Sequence, residues 1–161
     1  MGDHKHNNVR WEATTKNLDN ARALTKDKSG ANLWVFLTGL ADSKEKAIGW
    51  GNLGSVCNRE TDDRTSINAI YGGVVGLALT ISHEVGHNLG MSHDFVGKNT
   101  PRTYKGESCN DKGLMSYTSY GLKPKMWSKC SRNDFLAQYE VNYGDWCLES
   151  KWKFQHTFLA F

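Results

Sequence analysis

Only two prolines occur in 161 residues, which leaves little scope for a rigid proline-rich linker. No stretch approaches the ~18 consecutive apolar residues of a membrane-spanning helix. Charge of neither sign dominates. Twenty Lys+Arg against 17 Asp+Glu leave a formal +3, too small a surplus to point to nucleic acid or an anionic lipid surface. Cys57, Cys109, Cys130 and Cys147 form no C-x-x-C pair, which argues against a thiolate zinc knuckle or a thioredoxin-type redox site. The opening MGDHKHNN lacks the apolar core of a signal peptide. The chain also carries no internal repeat, no low-complexity tract and no Asn-x-Ser/Thr sequon.

What is present suffices for one domain. Hydrophobic residues make up 39%, with six each of Trp, Tyr and Phe, enough apolar volume for a core and too much for wholesale disorder. Sixteen glycines suggest backbone corners and close approaches. Four cysteines allow three pairings. Two disulfides in an oxidising compartment and four buried thiols in a reducing one both remain open at this level.

Residues 1–16 read as an irregular polar lead-in. Asn17 to Lys28 places Leu18, Ala21 and Leu24 at helical spacing, with Ser29-Gly30 as a stop. The run from Leu33 to Thr38 predicts a strand buried on both faces and central in a sheet. Ala47 to Cys57 is strand-like but broken by Gly49, Gly51 and Gly54, the pattern of a bulge or of another backbone close by. Thr65 to Tyr71 is a further strand candidate. Val74 to Leu89 carries the strongest helical pattern and ends at Gly90. Residues 91–127 read as a long irregular segment, of a length usually functional or cross-linked. Ser131 with Asp134 predicts a capped helix to about Glu140 with Phe135, Leu136 and Tyr139 inward. His4, His6 and His156 read as solvated, and Asp62, Asp63 and Arg64 as an exposed loop.

The chemistry concentrates in HEVGHNLGMSHD, residues 83–94. His83 and His87, four apart on a helix, project from one face one turn apart. That spacing lets two imidazoles reach one ion at about 2.0–2.1 Å. Gly90 permits an abrupt helix end, so that His93 can swing back as a third ligand. Three protein ligands leave a position open, the mark of a catalytic rather than a structural zinc site. Glu84 is placed to take the proton of a water that zinc has acidified. By this chain's own composition the HExxHxxGxxH pattern arises by chance roughly once in several million start positions. A metal site without catalysis has no need of Glu84.

Downstream, Gly113-Leu114-Met115-Ser116-Tyr117 follows His93 by about twenty residues. A long zinc motif followed by a methionine turn resembles the metzincin metalloproteases. Asp94 directly after His93 is similar to the adamalysin/reprolysin branch, which includes snake venom and ADAM-type proteases. LWVFLTG and AIGWGNLGSVC are similar to that branch's central strand and substrate-edge strand, and WSKCSRNDF and WCLE to its last cysteine segments. The resemblance implies an α/β (α+β) zincin-like catalytic domain: a mixed sheet, an active-site helix and an irregular C-terminal subdomain. It implies one zinc ion on His83, His87 and His93, Glu84 as general base, and Met115 as an apolar floor. It also implies a cleft lined by the backbone of Trp50, Gly51, Asn52 and Leu53 together with Ser116 and Tyr117. Cys57 is implied to pair with Cys147, and Cys109 with Cys130, the second bridge pinning the wall of the specificity pocket at about 116–127. Arthropod venom members, scorpion ones in particular, are nearest in flavour.

Departures from the pattern carry expectations of their own. Residues 1–32 do not accommodate the family's first strand and long helix, so residues 1–150 read as an N-terminally truncated catalytic domain and 151–161 as a short tail. Gly113 stands where many relatives have a cysteine. Asn32 and the region of Cys147 and Ser150 occupy the positions of a calcium site without its expected residues, so calcium is not expected. The function implied is a secreted, venom-associated zinc endopeptidase, monomeric, acting on protein or peptide substrates, without nucleic acid or stable membrane insertion. The alternative is a non-catalytic zinc-binding fragment that acts by binding a protein target.

Overall fold

A computed structural model of the chain describes residues 12–26, 31–41, 47–58, 63–96, 100–109, 113–116, 126–141 and 147. The expectations for Ser29-Gly30, Asp62, Tyr117, Ser150 and the tail 151–161 lie outside them.

Helix α1, Thr15–Thr25, begins where Thr14 Oγ1 accepts the Asn17 N–H at 3.2 Å, satisfying one of the helix's orphan donors. The cap moves the helix two residues ahead of its expected start. Leu18, Ala21 and Thr25 form its buried stripe. Ala13, just before it, donates to Leu40 C=O at 2.9 Å and so ties the helix start to the end of the first strand.

The sheet has the order β1-β3-β2 among the described residues. Strand β1, Trp34–Thr38, runs parallel to β3, Thr65–Ala69, in register Trp34↔Thr65 to Thr38↔Ala69. Strand β2, Gly49–Gly51, pairs antiparallel with the other side of β3. The expectation of β1 as a central strand buried on both faces is corrected. It lies at an edge of the described sheet, and Val35 and Leu37 are 41% and 54% exposed. The centre belongs to β3, whose five residues are all buried although four of them are small or polar. Asn68 Nδ2 donates to Ser66 Oγ at 3.2 Å and to Phe36 C=O at 3.3 Å, whereas Thr65 Oγ1 and Asn68 Oδ1 are buried without a hydrogen-bond partner among the described residues.

Helix α2, Gly73–Asn88, packs across β3 and β2. It ends in a Schellman turn. Gly90, at φ +93°, donates to His87 C=O at 2.8 Å, and Met91 donates to Gly86 C=O at 2.9 Å. The chain then runs through two small ladders rather than a wholly irregular segment. One pairs β4, Phe95–Val96, with β5, Thr100–Pro101; the other pairs β6, Thr103–Tyr104, with β7, Glu107–Ser108. Lys105 at φ 50° and Gly106 at φ 80° supply the left-handed pair that a two-residue hairpin turn requires.

Helix α3, Lys129–Val141, starts earlier than Ser131 because Ser128 Oγ accepts the Ser131 N–H at 2.9 Å and acts as the cap. Phe135 and Tyr139 stack at 6.4 Å, whereas Leu136 is 51% exposed rather than inward. The exposed-loop reading of Arg64 also fails. Arg64 is 4% exposed and donates to Ala31 C=O at 2.7 Å, while its neighbour Asp63 pairs with Arg22 at 2.9 Å. Disulfides join Cys57 to Cys147 and Cys109 to Cys130, with Cα atoms 5.3 and 5.7 Å apart. Among the described residues no helix is long and apolar enough to cross a membrane.

Candidate metal centre

Helix α2 and the turn after it carry three imidazoles to one point. Nε2 of His93 lies 3.1 Å from Nε2 of His83 and 3.1 Å from Nε2 of His87, and the three ligand atoms all fall within 4.8 Å of one another. Tetrahedral ligands at about 2.0–2.1 Å from zinc sit about 3.3 Å apart, so the group fits a single ion.

Tautomers are set from behind. His83 Nδ1 donates to Leu114 C=O at 2.6 Å, and His87 Nδ1 donates to Met91 C=O at 2.8 Å. A carbonyl can only accept, so each Nδ1 carries the proton and each Nε2 turns its lone pair to the centre. Burial lowers the pKa of His87 to about 3, helped by the neighbouring charges of His83 and His93. Burial and then His83 lower that of His93 to about 4. Both rings are therefore neutral near pH 7. Three imidazoles without a thiolate suit zinc.

Glu84, one residue beyond the first histidine, is 6% exposed, and burial pushes its carboxyl up to about 8. The glycines of β2 make room for it. A Cβ on Gly49 would stand 2.6 Å from Glu84 Oε1, and one on Gly51 would stand 2.6 Å from the Glu84 backbone oxygen. The close approach expected from the broken strand is that of α2 itself. Ala69 N–H donates to Ile48 C=O at 2.7 Å, and Trp50 faces Ile67 in the register. The antiparallel alternation then turns the peptide groups of Gly49 and Gly51 away from β3, and those of Trp50 toward it. Asn52 C=O accepts from Ser55 Oγ at 2.9 Å and from Asn88 Nδ2 at 3.1 Å, and Leu53 is 61% exposed.

Beneath the histidines lies the turn 113–116. Met115 is fully buried, its Sδ 2.6 Å from where a Cβ on Gly86 would fall, between His83 and His87 in the helix. Its carbonyl accepts the Asp94 N–H at 3.0 Å. Ser116 is 5% exposed.

Polar residues within the motif, Asn88 and Asp94, and beyond it, Arg102 and Asp134, complete the arrangement. Asn88 Nδ2 donates to Thr65 C=O at 3.1 Å and Ser55 Oγ at 2.9 Å, besides Asn52 C=O, and so joins α2 to the sheet. Asp94 Oδ1 accepts from Ser128 Oγ at 2.6 Å and Ser131 Oγ at 3.3 Å. Asp134 Oδ2 accepts the Ser92 N–H at 3.0 Å, and the carboxylate pairs with Arg102. Ser128 three residues before Ser131 was a readable cap signal. Nothing in the sequence pattern announced Asn88, Arg102 or the reach of Asp134.

A helix bearing two histidines one turn apart, a third from the turn behind it, and a buried carboxylate beside the first is the arrangement of a zinc-dependent peptidase centre. Residues 3–140 match the Metallo-peptidase family M12B Reprolysin-like, and the chain belongs to that family. Similar proteins include the human "A disintegrin and metalloproteinase with thrombospondin motifs 6", 33% identical over 67% of this chain and 9% of that protein. The zinc metalloproteinase-disintegrin-like brevilysin H2a of Gloydius brevicauda is 35% identical over 58% of this chain and 21% of its own length. The human "A disintegrin and metalloproteinase with thrombospondin motifs 20" is 29% identical over 88% of this chain and 7% of that protein. The chain thus spans a small part of the relatives it matches. Zinc is the metal of this family, and His83, His87 and His93 form a group able to hold one such ion.

Proposed function

We propose that the chain is a zinc-dependent endopeptidase in which Glu84 is the general base. The convergence of three imidazoles beside the buried carboxyl of Glu84 carries this reading. Zinc, when bound, supplies Lewis acidity toward a water and a peptide carbonyl. Glu84 accepts a proton from the attacking water and returns it to the amine nitrogen of the departing product, so that one C–O bond forms as the C–N bond breaks. Burial raises the proton affinity of the Glu84 carboxylate above that of a solvated glutamate, which favours its taking the water's proton. Met115 closes the floor, and its apolar burial keeps water from approaching the histidines from below.

Substrate is held as an extended strand along β2. Gly49 and Gly51 turn their peptide groups outward for main-chain pairing, while Trp50, Asn52, Leu53 and Ser116 shape the cleft around it. Internal peptide bonds of proteins are the target class. We place the protein outside the cell as a monomer, on the two disulfides. A place in a venom is the reading that its likeness to brevilysin H2a supports.

Purified chain loaded with zinc should cleave casein or gelatin and lose that activity to a chelator. Glu84→Ala should keep zinc and lose about 10²–10⁴-fold in rate. Zinc bound by the unaltered chain without cleavage of any protein substrate would leave only the binding alternative.

A further inference from the structure

His83 and His87 are spaced by α2 itself. His93 lies on a segment without helix or strand, three residues past Gly90, so its place depends on what grips the peptide groups around it. On one side Ser92 N–H donates to Asp134 Oδ2 at 3.0 Å. On the other, Asp94 N–H donates to Met115 C=O at 3.0 Å, and Asp94 C=O accepts Arg102 N–H at 2.8 Å. The guanidinium of Arg102 in turn grips both oxygens of Asp134, Nη1 to Oδ1 at 2.9 Å and Nη2 to Oδ2 at 2.6 Å. Arg102 therefore reaches the ligand segment twice: by its main chain at Asp94, and through Asp134 at Ser92.

We propose that Arg102 and Asp134 form a positioning clasp that sets His93 at metal-binding distance and so controls how tightly the centre holds its ion. The clasp rests on the reading of His93 as a ligand. Its side chains are 23% and 16% exposed, half-shielded from water, and the two-pronged geometry fixes the carboxylate plane. With that plane fixed, Oδ2 presents a lone pair to Ser92. Loss of the carboxylate leaves the Ser92 N–H and the guanidinium without this acceptor, and the segment is then free to drift. A ligand misplaced by about 0.5 Å already departs from productive geometry, and partners that orient metal ligands typically account for 10–100-fold in affinity. Two other links tie the β6–β7 hairpin to α3, the Cys109–Cys130 disulfide and the surface pair Lys129–Glu107. Neither touches residues 92–94, so the second provides a control.

The test uses the full chain freed of metal, titrated with zinc against a competing chelator and separately with cobalt(II). The visible cobalt spectrum reports the number and geometry of its ligands. Asp134→Ala should weaken zinc binding about tenfold or more and shift the cobalt spectrum toward that of His93→Ala. Arg102→Lys, which keeps the charge and loses the fork, should fall between that variant and the parent. Lys129→Ala should match the parent. A folded Asp134→Ala with parental affinity and spectrum overturns the clasp, as does Lys129→Ala showing the same loss. Should Asp134→Ala fail to fold, Arg102→Lys carries the same decision. Parental binding in His93→Ala overturns the ligand reading and the clasp with it; loss in His93→Ala but not in Asp134→Ala overturns the clasp alone.

Discussion

The contact between β2 and α2 makes one substitution series decisive. In Gly51→Ala the new methyl falls 2.6 Å from the Glu84 backbone oxygen, 3.2 Å from its carbonyl carbon and 3.3 Å from its Cα. Ordinary contact begins at 3.4 Å, so strand and helix must part by about 0.8 Å. Neither moves freely. Strand β2 is in register with β3, and α2 is tied to the following loop by Gly54 N–H to His87 C=O at 2.8 Å and Val56 N–H to Asn88 C=O at 3.0 Å. Overpacking of this kind costs about 1–3 kcal/mol, against which loss of glycine freedom in the unfolded chain offsets about 0.4–1 kcal/mol. For a chain of this size each kcal/mol moves the Tm by about 2–4 °C. Gly51→Ala should therefore melt several degrees below the parent. In Gly49→Ala the methyl meets Glu84 Oε1 at 2.6 Å, Cγ at 2.7 Å and Cδ at 2.9 Å, all in a side chain that can rotate away. That variant should keep most of its Tm while its kcat falls about 100-fold, because the carboxylate is displaced. Gly39→Ala, where a methyl meets nothing within 4 Å, serves as the silent control. Thermal melts paired with proteolysis rates read out the series. Parental stability and activity in Gly51→Ala would refute the reasoning, and so would equal losses of Tm in Gly49→Ala and Gly51→Ala.

Two further outcomes are expected. Replacing the Cys57–Cys147 pair by serines opens a loop of 90 residues and should cost about 4–5 kcal/mol, against about 3 kcal/mol for Cys109–Cys130 with its separation of 21; denaturant melts that reverse this order contradict the loop-closure account. In the metal-free protein, stability should peak near pH 6.5. Above pH 4.5 the unfolded chain releases a Glu84 proton that the folded chain keeps up to about 8, so this group lowers stability as pH rises through that window. Below 6.5 the unfolded chain takes up protons that folded His87 and His93 refuse down to about 3 and 4, so these groups lower stability as pH falls. Two histidine slopes outweigh one carboxylate slope between 4.5 and 6.5. Melts of the chelated protein across pH check this, and Glu84→Gln should remove the alkaline limb.

The metal group was legible because i, i+4 histidines on a helix and a glycine stop depend on local geometry alone, and the structure brings His83, His87 and His93 to one point. The close approach at Gly49 and Gly51 was legible for a similar reason: a strand that gives up side chains does so for a neighbour. The order of the sheet was not. Hydrophobicity pointed to Leu33–Thr38 as the centre, whereas Thr65–Ala69 takes it with small side chains, among which Asn68 Nδ2 reaches Phe36 C=O on β1. Phe36, and Asn88 whose Nδ2 reaches Thr65 C=O from α2, are distant in sequence and leave no periodic trace. The hold on His93 was equally hidden, since Arg102 and Asp134 are 32 residues apart and meet only after the chain has folded. Spacing was silent on the cysteine pairing, which came from resemblance alone.

The polar centre of the sheet extends through the interior. Among the described residues fifteen polar or charged side chains are buried, from Asn17 to Ser131, against ten apolar ones. Exposing apolar surface raises the heat capacity of unfolding and exposing polar surface lowers it. An interior so composed implies a heat-capacity increment below the usual ~12–15 cal/mol/K per residue. The stability curve is then shallow: flat across ordinary temperatures, slow to bend toward cold denaturation, and dependent for its height on cross-links and bound metal more than on an oily core.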